Sequence, residues 1–118
     1  MQLFRFLEWP VYREAKELFT IVYKIISKLP QGIKIDLGRQ ILRSSFSIIL
    51  NISKGSGKSS DKELNRFFDI AIGSLNETVA GVDVLKDNGL ISPEDFELVR
   101  QKAESVSKQL GGFKKTLA

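Results

Sequence analysis

Three patterns in the sequence have spacings that chemistry uses, and none is completed. Gly57-Lys58-Ser59 matches the end of a phosphate-binding loop, where backbone amides and a lysine cradle phosphate oxygens. That loop needs a glycine five positions before Gly57, where Ile52 stands, and a preceding strand, where a helical pattern runs. Ser59 with Lys62, and Ser105 with Lys108, have Ser-x-x-Lys spacing. A nucleophilic serine also needs a desolvated lysine and an oxyanion hole, and a chain rich in both residues produces this spacing by chance. Asp69, Glu77, Asp83 and Asp87 lack the Glu-x-x-His unit of di-iron bundles and read as a solvated acidic face. The chain has no histidine and no cysteine. The commonest general base, the usual zinc ligands, thiol nucleophiles and disulfides are therefore absent. No catalytic residue, metal site or cofactor is expected.

The basic residues are more informative. Residues 31–60 hold five basic residues and one acidic; residues 61–90 hold three basic and six acidic. On a helical wheel Arg39, Arg43 and Lys54 fall within about 60° of one another. Lys58 follows in a turn, and Lys62 and Arg66 lie one turn apart on the next helix. These six predict a basic stripe suited to a phosphate backbone; the alternative is a solvated basic face, with Arg43 paired internally to a carboxylate such as Glu77. No interleaving of aromatic and basic residues points to base stacking.

These side chains need helices to position them. The 118 residues suffice for one domain, and the prolines, at 10, 30 and 93, leave long stretches free for helix. Val11, Ala15, Leu18, Val22, Ile25 and Leu29 form one helical stripe over about 10–29, opened by Pro10. A second stripe runs through Leu37, Ile41, Ser45, Ile48 and Ile52 over about 36–54, with Asp36 as its expected N-cap. Ser60 and Glu63 have capping-box spacing and open a helix over about 61–88, closed by Asn88-Gly89. Ser92-Pro93-Glu94-Asp95 opens the last, about 93–115, in which Phe96, Val99, Ala103, Val106, Leu110, Phe113 and Leu117 alternate by 3 and 4. Gly111-Gly112 is expected to fray its end. No period-two stretch suits a strand. Short loops predict an all-α, antiparallel up-down-up-down four-helix bundle.

Apolar residues exceed what one bundle core needs. Phe46, Ile48, Ile49, Leu50 and Ile52 cover most of the circumference of the second helix, which predicts a subunit interface with closed symmetry. Leu3, Phe4, Phe6, Leu7 and Trp9 raise the same question, the alternative being that they cover the bundle's end. Gln40, Ser47, Asn51, Ser74 and Glu77 are expected to form a structural polar network between the two middle helices. No apolar stretch approaches the roughly 20 residues of a membrane span, and no signal peptide is visible, so a soluble cytoplasmic protein is expected.

The segments Gln40-Ile-Leu-Arg43-Ser-Ser-Phe-Ser47-Ile-Ile-Leu-Asn51-Ile52-Ser-Lys-Gly55 and Arg66-Phe67-Phe-Asp-Ile70-Ala71-Ile-Gly73-Ser74-Leu75-Asn-Glu77 resemble the bacterial four-helix bundle family. It is also called the ribosomal RNA intervening-sequence protein family, because some members are encoded in insertions within large-subunit ribosomal RNA genes. Val11-Tyr12, Ala15, Leu18, Val22-Tyr23 and Leu29-Pro30 fit its first helix. The resemblance implies a four-helix bundle assembled as a ring-shaped homopentamer, with no known enzyme activity. Related proteins include the accessory variability determinant of diversity-generating retroelements, which binds nucleic acid through a basic surface and partners a reverse transcriptase. The chain departs from the pattern at Leu42, in place of a second basic residue, at Ile49, in place of a common proline, and at Lys54, in place of a glutamate. Ile49 is expected to leave the second helix straighter, and Lys54 to compensate in part for Leu42.

The expected function is therefore a non-enzymatic oligomeric module that binds RNA or DNA through a basic surface, as an accessory to a nucleic-acid enzyme such as a reverse transcriptase. The alternative is a structural or protein-interaction oligomer with no nucleic-acid role.

Overall fold

The computed structural model describes residues 3–117. Among them there is no strand, and four long helices form a body of 46 × 22 × 20 Å. Helix α1 spans Pro10–Ser27, with Pro10 in its first turn where no amide is needed. It buries Val11, Ala15, Leu18, Val22, Ile25 and Ile26, which is the predicted stripe with Ile26 added. A 3-10 turn, Arg5–Glu8, precedes it.

Helix α2 runs over 31–56 in three stretches: α-helical Gln31–Ile33, π-helical Lys34–Gly38 and α-helical Arg39–Ser56. The expected N-cap at Asp36 is wrong. Asp36 lies inside the π-helical stretch, and the helix starts five residues earlier, directly after Pro30, whose carbonyl accepts from the Lys34 amide at 2.8 Å. The i→i+5 bonding adds a residue to the turn and shifts the phase of the stripe. Gly38 is therefore buried, and Leu37, the predicted first stripe residue, is exposed. From Arg39 to Ser56 the helix is regular through Ile49.

Helix α3 spans Asp61–Asp87 and helix α4 Pro93–Leu117. Both predicted caps form: Ser60 Oγ accepts from the Glu63 amide at 3.2 Å, and Ser92 Oγ from the Asp95 amide at 3.0 Å. Gly89, at φ +70°, closes α3. The Leu90 amide donates to the Leu85 carbonyl at 2.9 Å and the Gly89 amide to Lys86 at 3.0 Å, so the last carbonyls are satisfied. The expected fraying at Gly111-Gly112 does not occur, and α4 continues to Leu117.

Each helix packs on its sequence neighbours, and α1 also packs on α4. Contacting residues run in opposite directions along each pair: Ser44 meets Thr78 and Ser47 meets Ser74; Glu14 meets Ser105 and Trp9 meets Phe113. Trp9, Phe68 and Phe113 form an aromatic cluster at one end, with centroids 4.7–6.2 Å apart. Its position shows what part of the N-terminal apolar segment does: Trp9 seals that end, and Phe6 packs edge-on against Tyr12. Leu3, Phe4 and Leu7 stay exposed. Among the described residues no helix is long and apolar enough to cross a membrane.

Candidate nucleic-acid interface

The buried line of α2 (Ile41, Ser44, Ser45, Ile48, Ile52, Gly55) faces the core, so its opposite face looks outward. That outward face carries Arg39, Arg43, Phe46, Leu50 and Lys54. All six residues of the predicted stripe, Arg39, Arg43, Lys54, Lys58, Lys62 and Arg66, are exposed. They do not form one continuous stripe. Arg39 and Arg43 stand near one end of α2, and Lys54, Lys58, Lys62 and Arg66 gather about the α2–α3 turn. Arg43 and Lys54 are about 16 Å apart along the axis, at 1.5 Å per residue, with Leu50 between them.

Among the described residues Arg39, Arg43, Lys54, Lys58 and Lys62 have no carboxylate within ion-pair distance, whereas Arg66 pairs with Glu63 at 3.2 Å. The expected internal pairing of Arg43 with Glu77 is absent: both side chains are in solvent. Among the described residues Arg5, Arg13, Lys16, Lys24, Lys28, Lys34 and Lys115 likewise have no carboxylate partner, while other cations are paired locally. Lys86 pairs with Asp83 at 3.0 Å, and Arg100 pairs with Glu97 and Glu104. Lys102 reaches from α4 to Glu17 at 2.8 Å and Glu14 at 3.1 Å on α1. The hydrogen bond from Ser105, at 2.6 Å, and that from Lys102 hold the Glu14 carboxyl below its ordinary range. Residues 1–60 carry ten basic and four acidic residues, and residues 61–118 carry eight and ten. The unpaired positive charge therefore concentrates on the α1–α2 side and at the α2–α3 turn.

The turn also brings together groups the sequence did not. Phe67 lies beneath two cations, with Lys58 Nζ 5.0 Å and the Arg66 guanidinium carbon 4.7 Å from its ring centroid. Lys58 and Phe67, nine positions apart, meet only once the turn folds back. Arg5 joins the same end: its Nε donates to the Ser56 carbonyl at 3.0 Å, and its guanidinium sits 5.3 Å from the Trp9 centroid.

The polar network exists in altered membership. Ser47 Oγ lies 2.9 Å from Ser74 Oγ, and Asn51 Nδ2 donates to the Ser47 carbonyl at 2.8 Å and to its Oγ at 3.0 Å. Ser44 and Thr78, not predicted, form a second rung at 2.7 Å. Gln40 and Glu77 do not take part. They are exposed and border a hollow over the seam with Ala80, Gly81 and Val84, because Gly81 lets α3 close on Ile41 beneath them.

The surplus of apolar surface on α2 is smaller than predicted. Ile48, Ile49 and Ile52 are all buried in the bundle's own core. Phe46 and Leu50 remain outward, and Phe46 stands 5.9 Å from Phe19, which stacks on exposed Tyr23 at 6.2 Å. Ile70 and Val84 are exposed on the far side of the seam.

Fold and surface together define an antiparallel helical bundle with unpaired cations on one side and, among the described residues, no cluster suited to a metal ion. The chain matches the model of the 23S rRNA-intervening sequence protein family over residues 8–112 and belongs to that family. Among solved structures it is similar to a protein of unknown function from the S23 ribosomal protein family of Bacteroides thetaiotaomicron VPI-5482, known from a crystal structure at 1.70 Å. The TM-score is 0.82 at 24% identity, covering 89% of this chain and 95% of that one, a likeness of fold. No curated protein matches the chain.

Proposed function

We propose that this protein is a non-enzymatic oligomeric module that binds RNA or DNA through the outward face of α2 and the α2–α3 turn. The observation that carries this reading is five exposed cations, Arg39, Arg43, Lys54, Lys58 and Lys62, without carboxylate partners among the described residues. An unpaired cation can neutralise a phosphate and release a counterion; a cation already paired gains less. The accessory role beside a nucleic-acid enzyme, such as a reverse transcriptase, rests on the family resemblance.

Assembly strengthens the argument. Exposed Ile70, Val84 and Leu98, which lie off the outward face of α2, supply surface for a homo-oligomer, and the family resemblance makes it a pentamer. Closed symmetry repeats each protomer's charge, so +4 per chain becomes about +20 on a ring of five. Light scattering should give a mass near five times 13.3 kDa.

Fluorescence anisotropy with RNA and DNA across a salt series tests the binding. Each phosphate contact contributes about −0.7 to −0.9 to the slope of log K against log salt, so Arg39→Gln/Lys58→Gln should make the slope shallower by about 1.4–1.8. A wild type that binds neither nucleic acid at low salt, or a double variant with unchanged affinity and slope, refutes it. The exposed apolar residues would then favour a protein-interaction oligomer.

A further inference from the structure

At the α2–α3 end of the bundle the N-terminal segment and the end of α2 enclose a cleft of about 450 Å³. This lies within the size range of small-ligand sites. Leu3, Phe4 and Arg5 form one side, and Lys54, Ser56 and Lys58 belong to the other. Among the described residues three cations line the cleft and no carboxylate does.

Two of the cations are held in place. Arg5 is anchored by the Ser56 carbonyl and the Trp9 ring, and Lys58 by the face of Phe67. Phe4 is held differently. It has φ 56° and ψ 39°, the left-handed conformation, which is a genuine outlier for a bulky side chain. Its ring is 64% exposed and meets Phe6 edge-on at 6.4 Å. Such strain concentrates at ligand sites. Here the ring's own burial does not offset it, and its effect is to keep a flat aromatic surface in water beside convergent positive charge.

From this we infer that the cleft seats one unpaired nucleotide, its base against Phe4 and Leu3 and its phosphate against Arg5, Lys54 and Lys58. The inference rests on the proposed nucleic-acid binding and adds a form of substrate to it. A base inside a duplex is paired and stacked on both faces, so only a single strand, a loop or an end can present one to Phe4. The outward face of α2 offers charge to either form; the cleft discriminates between them.

Phe4→Asn tests this, because asparagine tolerates the left-handed backbone while removing the ring. Phe4→Trp keeps an aromatic face. Binding of a single-stranded 20-mer, the same strand with abasic sites, and the matching duplex is measured by anisotropy. The wild type should prefer the intact single strand to the other two. Phe4→Asn should lose about tenfold on the single strand and little on the duplex, as one stacked base predicts, and Phe4→Trp should retain the preference. Equal wild-type affinity for strand and duplex, or a Phe4→Asn variant that binds the strand as well as wild type does, overturns the cleft while leaving the charged face standing. Failure of the wild type to bind any of the three removes both proposals. A polyglutamate peptide that competes with the same dependence on Phe4 would also overturn it, assigning the cleft to an acidic peptide.

Discussion

Gly81→Ala is the sharpest probe of the seam between α2 and α3. A Cβ at this position would lie 2.7 Å from Ile41 Cγ1 and 3.1 Å from its Cδ1, and Ile41 is buried. Alanine gains about 0.5–1 kcal/mol over glycine within a helix. Overpacking a well-filled interior costs about 1–3 kcal/mol, and Ile41 has the core on its other side. The net expectation is a loss of about 0–2.5 kcal/mol. Gly112→Ala is the internal control: nothing lies within 4 Å of a Cβ there, so the propensity term acts alone and the protein should gain about 0.5–1 kcal/mol. Urea denaturation followed by circular dichroism, at one fixed protein concentration, separates the two variants, which should move in opposite directions. Ile41→Ala/Gly81→Ala should cost less than the sum of its parts, since the truncated side chain makes room for the new methyl. A Gly81→Ala protein that gains as much stability as Gly112→Ala would refute the close approach of the helices.

Other expectations are independent of the seam. Val106 is fully buried in α4, and Val106→Asp should cost several kcal/mol or abolish folding, read as a lower thermal midpoint. Ser105 first, and Lys102 next, depress the Glu14 carboxyl in the folded state. Its contribution is therefore present above the ordinary carboxylate pKa and lost as pH falls through the depressed one. Glu14→Gln should destabilise the protein at neutral pH, and the gap to wild type should close on acidification; a gap independent of pH would show that the pairing contributes nothing. Ile70→Asp/Val84→Asp should leave helicity intact, because both side chains are exposed, and should lower the mass seen by light scattering. Unchanged mass would exclude this face from the oligomer contact.

Where sequence and structure agree, local rules decide the outcome. The caps at Ser60 and Ser92 and the glycine at 89 act within a few residues of themselves, and the stripes of α1, α3 and α4 obey one undisturbed period. The start of α2 was misread because Asp36 has a capping residue's chemistry but sits in a π-helical stretch, where the count of residues per turn changes. Pro30, a residue suited to precede a helix, was the available signal. The stripe itself is legible as charge, but which cations lack partners depends on carboxylates 3 Å away across helices. Glu14 and Lys102, separated by 88 residues, illustrate the difficulty. Thr78 stands in the buried line of α3 between Leu75 and Val82, and its hydroxyl finds Ser44 only because small residues bring the two helices together.

The gap between the two cation groups makes α2 a ruler. A helix is stiff over this span, so the separation of about 16 Å between Arg43 and Lys54 is fixed. Strand phosphates in B-form DNA advance 3.4 Å per nucleotide, so a stacked strand lying along the axis needs about five nucleotides to touch both groups. A dinucleotide can occupy one group only. Under the proposed binding, the helix sets a minimum ligand length that neither group sets alone, and a turn of helix inserted or removed between them would reset it without changing a single charge.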